Sequence, residues 1–416
     1  MNNRRGILVD TFAGAGGLSF GMESAGFDVA VSVDVEPVNA ATHGYMYSYG
    51  RAICADLFEN QSKIIRENLG NNTDPDVITM GRDIDAIVGG PPCQGISSMG
   101  RRDPNDPRNM LMDRFIHHGI SLNARLMCME QVPTILQDAN REHLDHIREK
   151  LFRAGYSMVD PQIVRAVDFG VPQRRERVFL LIHRNDQKAP SYPKPTHSPE
   201  GDFFLKRTPT VADAFDGLPD ACNYEELWHT DNVQVELPHP TTHYGRLMAC
   251  LENDSEDLSY KRPHRRDILT CSQRTRHDDI SIARFMATQP GGSERISRRH
   301  RLDPNGLSLT LRAGSNAERG SFTAVMPIHP KGTRMITVRE AARLHSFPDH
   351  YIFSRTKISA LRQIGNSVVP KVGQAIGREL MVALDLSPSA PTDIVPYGDP
   401  KLLETTSIRS VHKQAA

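Results

Sequence analysis

The stretch GILVDTFAGAGGLSFGMESAGFDVAVSVDVEP, residues 6–37, sets the architecture of this chain. An apolar strand over residues 7–9 leads into a glycine-rich turn, and residues 18–25 then favour a helix that Gly26 ends. A second apolar strand follows over residues 28–34. A strand, a helix and a strand in this order predict parallel strands joined by a crossover helix.

Two further stretches extend the same alternation. AICADLF (residues 52–58) and DAIVGG (residues 85–90) each predict a short strand, with helical stretches between them. We therefore expect an α/β fold built on a parallel, Rossmann-like sheet. In such sheets the ligand lies at the carboxyl ends of the strands.

The strand ends carry candidate ligands for a nucleoside. The glycines of the turn allow a close approach of the backbone to a ligand. Asp34, which ends the second strand, could accept from ribose hydroxyls, and Asp56 could accept from an adenine amino group. The spacing of the turn, GxGG at residues 14–17, does not match the GxGxxG of nicotinamide cofactor sites. The alternative is that the glycines only ease the packing of strand and helix.

Composition narrows the class of protein. The chain has 416 residues, enough for two domains, and its 50 Lys and Arg balance 50 Asp and Glu. A local basic segment is hidden in that total, since residues 261–319 hold thirteen Lys and Arg against six Asp and Glu. The six cysteines are scattered without a CxxC pair, which favours a reduced, intracellular setting over a zinc site or disulfides.

Targeting segments are not evident. The first ten residues lack the long apolar run of a signal peptide, and no stretch approaches the roughly 18–20 apolar residues of a membrane span. We expect a cytoplasmic protein without a membrane partner.

A cysteine follows the fourth predicted strand at an unusual place. In DAIVGGPPCQGISSMGRRDPNDPRNML, residues 85–111, two prolines fix the backbone just before Cys93, and a polar loop follows with Arg101 and Arg102. This arrangement presents a thiol at the mouth of the expected cleft. A positive neighbour would favour the nucleophilic thiolate. The alternative is a buried structural cysteine, the more usual state of this residue.

Two more charged positions interrupt apolar stretches. Glu130 lies in RLMCMEQVPTIL, residues 125–136, where a carboxylate is costly unless it is paired or protonated. It is therefore a candidate acid toward a substrate. Residues 166–184 carry an arginine cluster ahead of another strand at residues 178–182, and a solvated charged surface is the alternative there. The cluster consists of Arg174, Arg175 and Arg177.

Together these stretches resemble the DNA cytosine-5 methyltransferases of the bacterial type. The resemblance covers residues 1–182 and 334–385 well, in the order of the family, and residues 190–300 poorly. Six stretches carry it: DTFAGAGGLSFGMESAGF (10–27), GGPPCQGISSMGRRDPNDPRNML (89–111), EQVP (130–133), QRRERVFLLI (173–182), RMITVREAARLHSFPDHY (334–351) and QIGNSVVPKVGQAIG (363–377).

The resemblance implies a domain organisation. Residues 1–188 would form the catalytic domain that binds S-adenosyl-L-methionine, and residues 356–388 would return to complete it, with Gly-Asn-Ser (365–367) at a turn before a helix. Residues 189–355, which begin in the proline-rich KAPSYPKPTHSPEG and include the motif at 334–351 at their boundary, would form a smaller target-recognition domain. Residues 389–416 would be an irregular tail.

The resemblance also implies a mechanism. The target cytosine is flipped out of double-stranded DNA, because its C5 and C6 are inaccessible within the stack. Cys93 attacks C6, and Glu130 holds the N3 edge and favours its protonation. Arg175 and Arg177 help to hold the base and the loop. C5 then takes the methyl group, and loss of the C5 proton and of Cys93 releases 5-methylcytosine.

The cofactor site implied by the resemblance contains no metal. It would be formed by Phe12, Gly14, Gly16, Leu18, Asp34, Val35, Asp56, Leu57, Pro91, Leu111, Asn366 and Val368. One position departs from the family, since Gln131 replaces the usual Asn beside the glutamate. If this amide orients the Pro-Cys loop, the extra methylene shifts its geometry slightly, and we expect a modest effect on rate.

The biological setting is open at this stage. We expect a bacterial, nucleoid-associated monomer that acts in restriction–modification, with a restriction endonuclease for the same site as its partner. The basic segment KRPHRRDILTCSQRTRH (261–277) is expected to contact DNA. Another defence system and an enzyme that acts alone are alternatives. For function, the alternatives are an RNA (transfer RNA) cytosine-5 methyltransferase, a DNA-binding regulator with impaired catalysis and, more distantly, a nicotinamide oxidoreductase.

Overall fold

The computed structural model describes residues 2–57, 62–69, 83–92, 110–252, 254–315 and 323–406. Nine strands precede residue 185 in this part of the chain. They are β1 (Gly6–Thr11), β2 (Phe27–Asp34), β3 (Arg51–Cys54), β4 (Ala86–Gly89), β5 (Leu126–Gln131), β6 (Tyr156–Met158), β7 (Gln162–Arg165), β8 (Gln173–Arg174) and β9 (Glu176–Arg184).

All of these strands except β8 form one sheet of eight strands. Its order is β3-β2-β1-β4-β5-β9-β6, and β7 also pairs with β9. The strands from β3 to β5 in this order are parallel to their neighbours, whereas β9 runs antiparallel to β5, β6 and β7. The predicted α/β class is confirmed, and the strands predicted from residue 7 to residue 34 lie where the sequence placed them. The third strand ends at Cys54 and is therefore shorter than the stretch predicted at residues 52–58.

Helices cover both faces of the sheet, as a doubly wound fold requires. The helices of the described chain are α1 (Gly17–Ser24), α2 (Pro37–Met46), α3 (Ser62–Asn68), α4 (Met110–Ser121), α5 (Arg141–Arg153), α6 (Val211–Phe215), α7 (His243–Met248), α8 (Asp279–Ala287), α9 (Val338–Leu344), α10 (Lys357–Asn366) and α11 (Pro370–Ala383). Consecutive residues of β1 point to opposite faces, so Leu8 joins a core with α1 and α11, and Val9 joins a second core with α4 and α5.

The segment after β9 contains mostly short elements. Its strands are β10 (His197–Ser198), β11 (Lys206–Arg207), β12 (Val233–Gln234), β13 (Ile268–Leu269), β14 (Ser308–Leu309), β15 (Arg312–Ser315) and β16 (Thr323–Val325). It also contains short 3-10 helices at Ala221–Asn223, Glu225–Trp228 and Pro400–Glu404, whereas those at Pro133–Leu136, Asp138–Asn140 and Ala166–Phe169 precede β9. A small core of its own, with Leu227, Val233 and Leu269, supports part of this segment.

The end of the chain returns to its beginning through close helix packing. Helix α11 lies along α1, where a Cβ atom on Gly21 would be 2.5 Å from the carbonyl oxygen of Pro370. Only glycine fits there, so Gly21 permits the contact. Gly-Asn-Ser (365–367) is not a separate turn as expected, because Gly365 and Asn366 complete the last turn of α10 and Ser367 caps it. The link to α11 comes one to two residues later than expected, because α10 continues to Asn366 and residues 367–369 then join it to α11.

The tail is packed although it has little regular structure. The amide of Val395 donates to the carbonyl of Lys261 at 2.9 Å, and the amide of Gly398 donates to that of Tyr45 at 2.8 Å. The 3-10 helix at Pro400–Glu404 lies against α2.

The domain boundaries expected at residues 188, 355 and 388 stay predictions. Helix α9 contributes to the same core as α1. Over the described residues, we find no helix with the length and apolar character that crossing a bilayer requires.

Candidate active site

The glycine turn between β1 and α1 is open toward the carboxyl edge of the sheet. Phe12, Gly14 and Gly16 all have left-handed φ, at 59°, 56° and 92°. A Cβ atom on Gly16 would lie 2.6 Å from the hydroxyl oxygen of Tyr351, so this position excludes a side chain. A Cβ atom on Gly14 would have nothing within 4 Å, so there is room beside the turn for a ligand. The first N–H groups of α1, which begins at Gly17, face the same turn.

Asp34 holds the glycine turn in place. Its carboxylate accepts from the amides of Gly14 and Glu36, both at 2.8 Å, and from the side chain of Asn39 at 3.2 Å. Burial raises the pKa of Asp34 above its usual value. Two carboxylate oxygens offer about four acceptor sites, so one site is left for a ribose hydroxyl. The exposed Glu36 is a second acceptor nearby, to which the sequence assigned no role.

The other predicted cofactor residues differ in their exposure. Phe12, Val35, Asp56 and Pro91 follow the carboxyl ends of β1, β2, β3 and β4 and therefore share one edge of the sheet. Val35 is 50% exposed, an apolar surface suited to the face of an adenine.

Three leucines and two residues of the last motif complete the predicted set. Leu18, Leu57 and Leu111 have buried side chains, so these residues would contact a cofactor through their backbone atoms. Asn366 is exposed and Val368 is buried. A Cβ atom on Gly17 would lie 2.4 Å from the carbonyl oxygen of Val368, so the last motif lies directly against the start of α1.

A buried polar network beneath the turn was missed by the sequence reasoning. The hydroxyl of Ser19 donates to Asp10 at 2.5 Å and lies 2.9 Å from Nε2 of His43, whose Nδ1 is 2.9 Å from the hydroxyl of Ser32. Burial raises the pKa of Asp10 to about 7 and lowers that of His43 to about 3. The network ties β1, α1, β2 and α2 together. The sequence feature that could have indicated this network is the presence of polar residues, such as Asp10 and Ser32, within apolar stretches.

Glu130 and Arg177 meet at the end of β5. Nε of Arg177 lies 2.6 Å from Oε1 of Glu130, and both side chains are mostly buried. A Cβ atom on Gly90 would lie 3.0 Å from Oε2 of the same carboxylate. The sequence left open whether this carboxylate is paired or protonated, and the structure pairs it. Glu130 therefore lies beside the chain three residues before Cys93. Cys93 itself, with Arg101 and Arg102, is outside the described residues.

Gln131, the residue after Glu130, also contacts the segment that precedes Cys93. Its side-chain amide donates to the carbonyl oxygen of Pro91 at 2.9 Å, while its own Oε1 is buried and has no partner among the described residues. The amide at this position thus anchors the backbone two residues before Cys93. This anchor constrains the backbone that leads to the predicted nucleophile.

Changing Gln131 tests this anchor. We expect Gln131→Leu to slow single-turnover methyl transfer by about 5- to 150-fold, because a buried carbonyl left without its donor costs about 1–3 kcal/mol. Gln131→Asn should slow it by less, because a small shift of the segment restores the bond. Gln374→Leu is the matched control, since it removes an amide–carbonyl bond of 3.0 Å on α11. A parent-like rate for Gln131→Leu would remove the anchor from catalysis.

Arg175 faces the protein backbone. Its guanidinium is buried and donates to the carbonyls of Leu311 at 3.1 Å, Gly365 at 3.2 Å and Ser367 at 2.9 Å. It therefore links the arginine motif to the last motif. Its Nε has no partner among the described residues. Three of the five guanidinium donors are used in these bonds, so contact with a base would have to come through Nε or the second N–H of Nη2.

A cavity of about 440 Å³ opens beside this group. Its charged lining is dominated by cations, with Glu176 as the opposing carboxylate. A cavity of this size can accept a flipped nucleotide, and its charge suits the flanking phosphates. The residues around it are Pro133, Arg165, Val167, Arg174, Arg175, Glu176, Arg177, Pro199, Leu307 and Thr310.

The basic segment at residues 261–277 is only partly available to DNA. The guanidinium of Arg262 and the carboxylate of Glu23 are fully buried and pair at 2.9 Å. Arg274 lies over the ring of Trp228, 3.7 Å from its centroid, and Arg265 pairs with Asp267. Arg262 thus joins the middle segment to α1 and cannot contact DNA.

Comparisons with known proteins agree with this geometry. Residues 7–382 match the model of the C-5 cytosine-specific DNA methylase family. The type II methyltransferase M.XorII of Xanthomonas oryzae pv. oryzae is 38% identical over 400 residues, which are 96% of this chain and 90% of that protein. The type II methyltransferase M1.HphI of Haemophilus parahaemolyticus is 28% identical, over 90% of this chain and 86% of that protein.

A solved structure is similar over nearly the same length. It is a crystal structure described as a putative DNA modification methyltransferase encoded within a prophage, from E. coli. It matches with a TM-score of 0.70 and 30% identity, and it covers 91% of this chain and 99% of that chain. Fold and site thus define a methyltransferase with the sheet of enzymes that use S-adenosylmethionine. The chain belongs to the C-5 cytosine-specific DNA methylases, which confirms the resemblance and selects methyl transfer to DNA over the nicotinamide alternative.

Proposed function

We propose that this DNA cytosine-5 methyltransferase modifies a flipped-out cytosine in one specific double-stranded sequence through a covalent bond between Cys93 and C6. The observation that carries the proposal is the position of the Glu130–Arg177 pair. It lies beside Gly90, and Gln131 anchors Pro91, so an acid and a cation flank the segment that leads into Cys93.

The proposed roles follow from this arrangement. The thiolate of Cys93 adds to C6, which forms an S–C bond and makes C5 nucleophilic. Glu130 holds the N3 edge and supports its protonation, so the negative charge that develops in the ring is neutralised. Arg177 fixes the Glu130 carboxyl, and Arg175 fixes the arginine motif against the last motif. After methylation, C5 loses its hydrogen as a proton, and the thiolate leaves C6.

We propose that the carboxyl edge of β1 to β4 holds the cofactor. S-adenosyl-L-methionine, when bound, supplies the electrophilic methyl group. The open space beside Gly14, the exposed face of Val35 and the carboxylates of Asp34 and Glu36 suit a nucleoside with a ribose. The free N–H groups at the start of α1 suit a carboxylate. The other residues that the resemblance implies stay proposed cofactor residues: Phe12, Gly16, Leu18, Asp56, Leu57, Pro91, Leu111, Asn366 and Val368.

We place the enzyme in restriction–modification or a related defence system, as a monomer in the bacterial cytoplasm at the nucleoid. The type II methyltransferases among its relatives support that setting. A restriction endonuclease for the same sequence would be its functional partner. Residues 189–355 would choose the sequence, with the cationic cavity at their border holding the target nucleotide.

The test is conversion-based sequencing of 5-methylcytosine in DNA from a host without cytosine methylation that expresses this chain. We expect methylation at one short motif and none in cells with the empty vector. Methylated transfer RNA with unmodified DNA would support the RNA alternative. Absence of methylation from both nucleic acids, with DNA binding retained, would support an impaired regulator.

A further inference from the structure

Two adjacent phenylalanines are almost fully exposed at the tip of one loop. Phe203 is 95% exposed and Phe204 is 88% exposed, more than any other large apolar side chain in the described part of the chain. Their ring centroids are 5.3 Å apart at an interplanar angle of 84°. Two aromatic rings side by side in water form an apolar surface, and such a surface marks an interaction site more often than a single exposed residue does.

The loop that carries the two rings has a defined turn. Oδ1 of Asp202 accepts from the amides of Phe204 and Leu205, both at 2.7 Å, and the amide of Asp202 donates to the carbonyl of Leu205 at 2.8 Å. The short strands β10 and β11 pair at the base of the loop. The hydroxyl of Thr208 donates to the carbonyl of Val167 at 2.9 Å, which ties the base to the catalytic side. The turn therefore holds both rings in water.

The same loop borders the cationic cavity. Pro199 lines that cavity and precedes Phe203 by four residues, so the two positions are at most about 14 Å apart. Lys206 and Arg207 are exposed at the other end of the loop. The loop also carries Glu200 and Asp202, but the amides of the turn already bind Asp202. Cations at its base and in the cavity make this a surface for a polyanion.

We propose that Phe203 and Phe204 form an aromatic wedge that contacts DNA beside the flipped cytosine. The inference rests on the proposed function of the cavity. Flipping a base exposes the faces of its neighbours, and aromatic side chains bind unstacked bases without regard to sequence. Apolar wedges between base steps also stabilise a distorted duplex. Lys206 and Arg207 would neutralise the adjacent phosphates, so the wedge and the cations act on the same stretch of DNA.

The experiment compares the parent with the double variant Phe203→Ala/Phe204→Ala on unmethylated plasmid DNA, with radiolabelled S-adenosylmethionine. We expect KM for DNA to rise about tenfold or more, with KM for the cofactor unchanged. The melting temperature should stay the same, because both rings are already in water. Phe152→Ala on α5 is the matched control, since its ring is 76% exposed and it should leave both constants unchanged.

Salt dependence separates stacking from charge. The double variant should bind plasmid more weakly with the same slope of log affinity against log salt, because no phosphate contact is lost. Lys206→Ala/Arg207→Ala should flatten the slope by about one unit for each phosphate contact removed. Leucine at both positions should leave KM for DNA as high as in the double alanine variant. Tryptophan at both positions should return KM for DNA to the value of the parent.

Three outcomes overturn the inference. One is an active parent with an unchanged KM for DNA in the double variant. Another is recovery by leucine, which would indicate simple apolar docking on a protein. The third is a change of oligomeric state in the variant without a change in KM, which would assign the rings to a second copy of the chain. An inactive parent would instead count against the proposed function, and binding to plasmid would still test the wedge.

Discussion

Alanine at Cys93 is expected to reduce methyl transfer by a factor of at least about 10⁴, a loss in the range of removing a covalent nucleophile. Without the thiolate, C6 receives no nucleophile and C5 does not gain the electron density that it needs to attack a methyl group. Binding of the cofactor and of DNA should persist, because the described contacts of Gly14, Asp34 and Gln131 do not involve the thiol. The measurement is single-turnover transfer of a labelled methyl group.

The covalent bond itself is a second readout for Cys93. A duplex with 5-fluorocytosine at the target has no C5 hydrogen to lose as a proton, so the methylated adduct cannot decompose. The parent should therefore migrate with DNA in a denaturing gel, and Cys93→Ala should not. Cys250→Ala, which changes another free and exposed cysteine, is the control and should form the adduct. An adduct formed by Cys93→Ala would contradict the nucleophile assignment.

Much of the catalytic sheet followed from local sequence patterns. The alternation of apolar strands with a glycine turn located β1, α1 and β2 to within one or two residues, because each depends on neighbours in the chain. The strand predicted at residues 178–182 lies within β9, but its antiparallel direction and its pairing with β5, β6 and β7 were not predicted. That pairing depends on contacts between distant segments, and periodicity within one segment carries no information about it.

The candidate site divides in the same way. Residue types and motif order nominated Glu130 and Arg177, but their ion pair joins strands that lie 47 positions apart in the chain, so only the fold could show it. The sequence misjudged Arg262 for the same reason. A basic stretch predicts a solvated or DNA-bound surface, and only the packing of α1 shows that this arginine is buried against Glu23. Asp34 combines an expected position with an unexpected role in holding the turn.

Glutamine at Glu130 is expected to lower the rate of methyl transfer by about 10²- to 10⁴-fold, the usual contribution of a positioned acid or base. The amide keeps the shape of the side chain and can still accept from Arg177, but it cannot hold or transfer a proton at N3. KM for the cofactor should be unchanged. Glu149→Gln is the matched control, because it removes an exposed carboxylate paired with Arg153 on α5. The measurement is again single-turnover transfer.

Arg177→Lys separates the two halves of the pair. Lysine keeps the positive charge but loses the Nε donor that lies 2.6 Å from Oε1 of Glu130, so the carboxyl is held less firmly. We expect a fall in rate of about tenfold or more. In the double variant the loss should be smaller than the product of the two single losses, because the two side chains act as one unit. Fully multiplicative losses would mean that Arg177 acts on the base independently of Glu130. A parent-like rate for Glu130→Gln would show that this carboxyl takes no part in the chemistry.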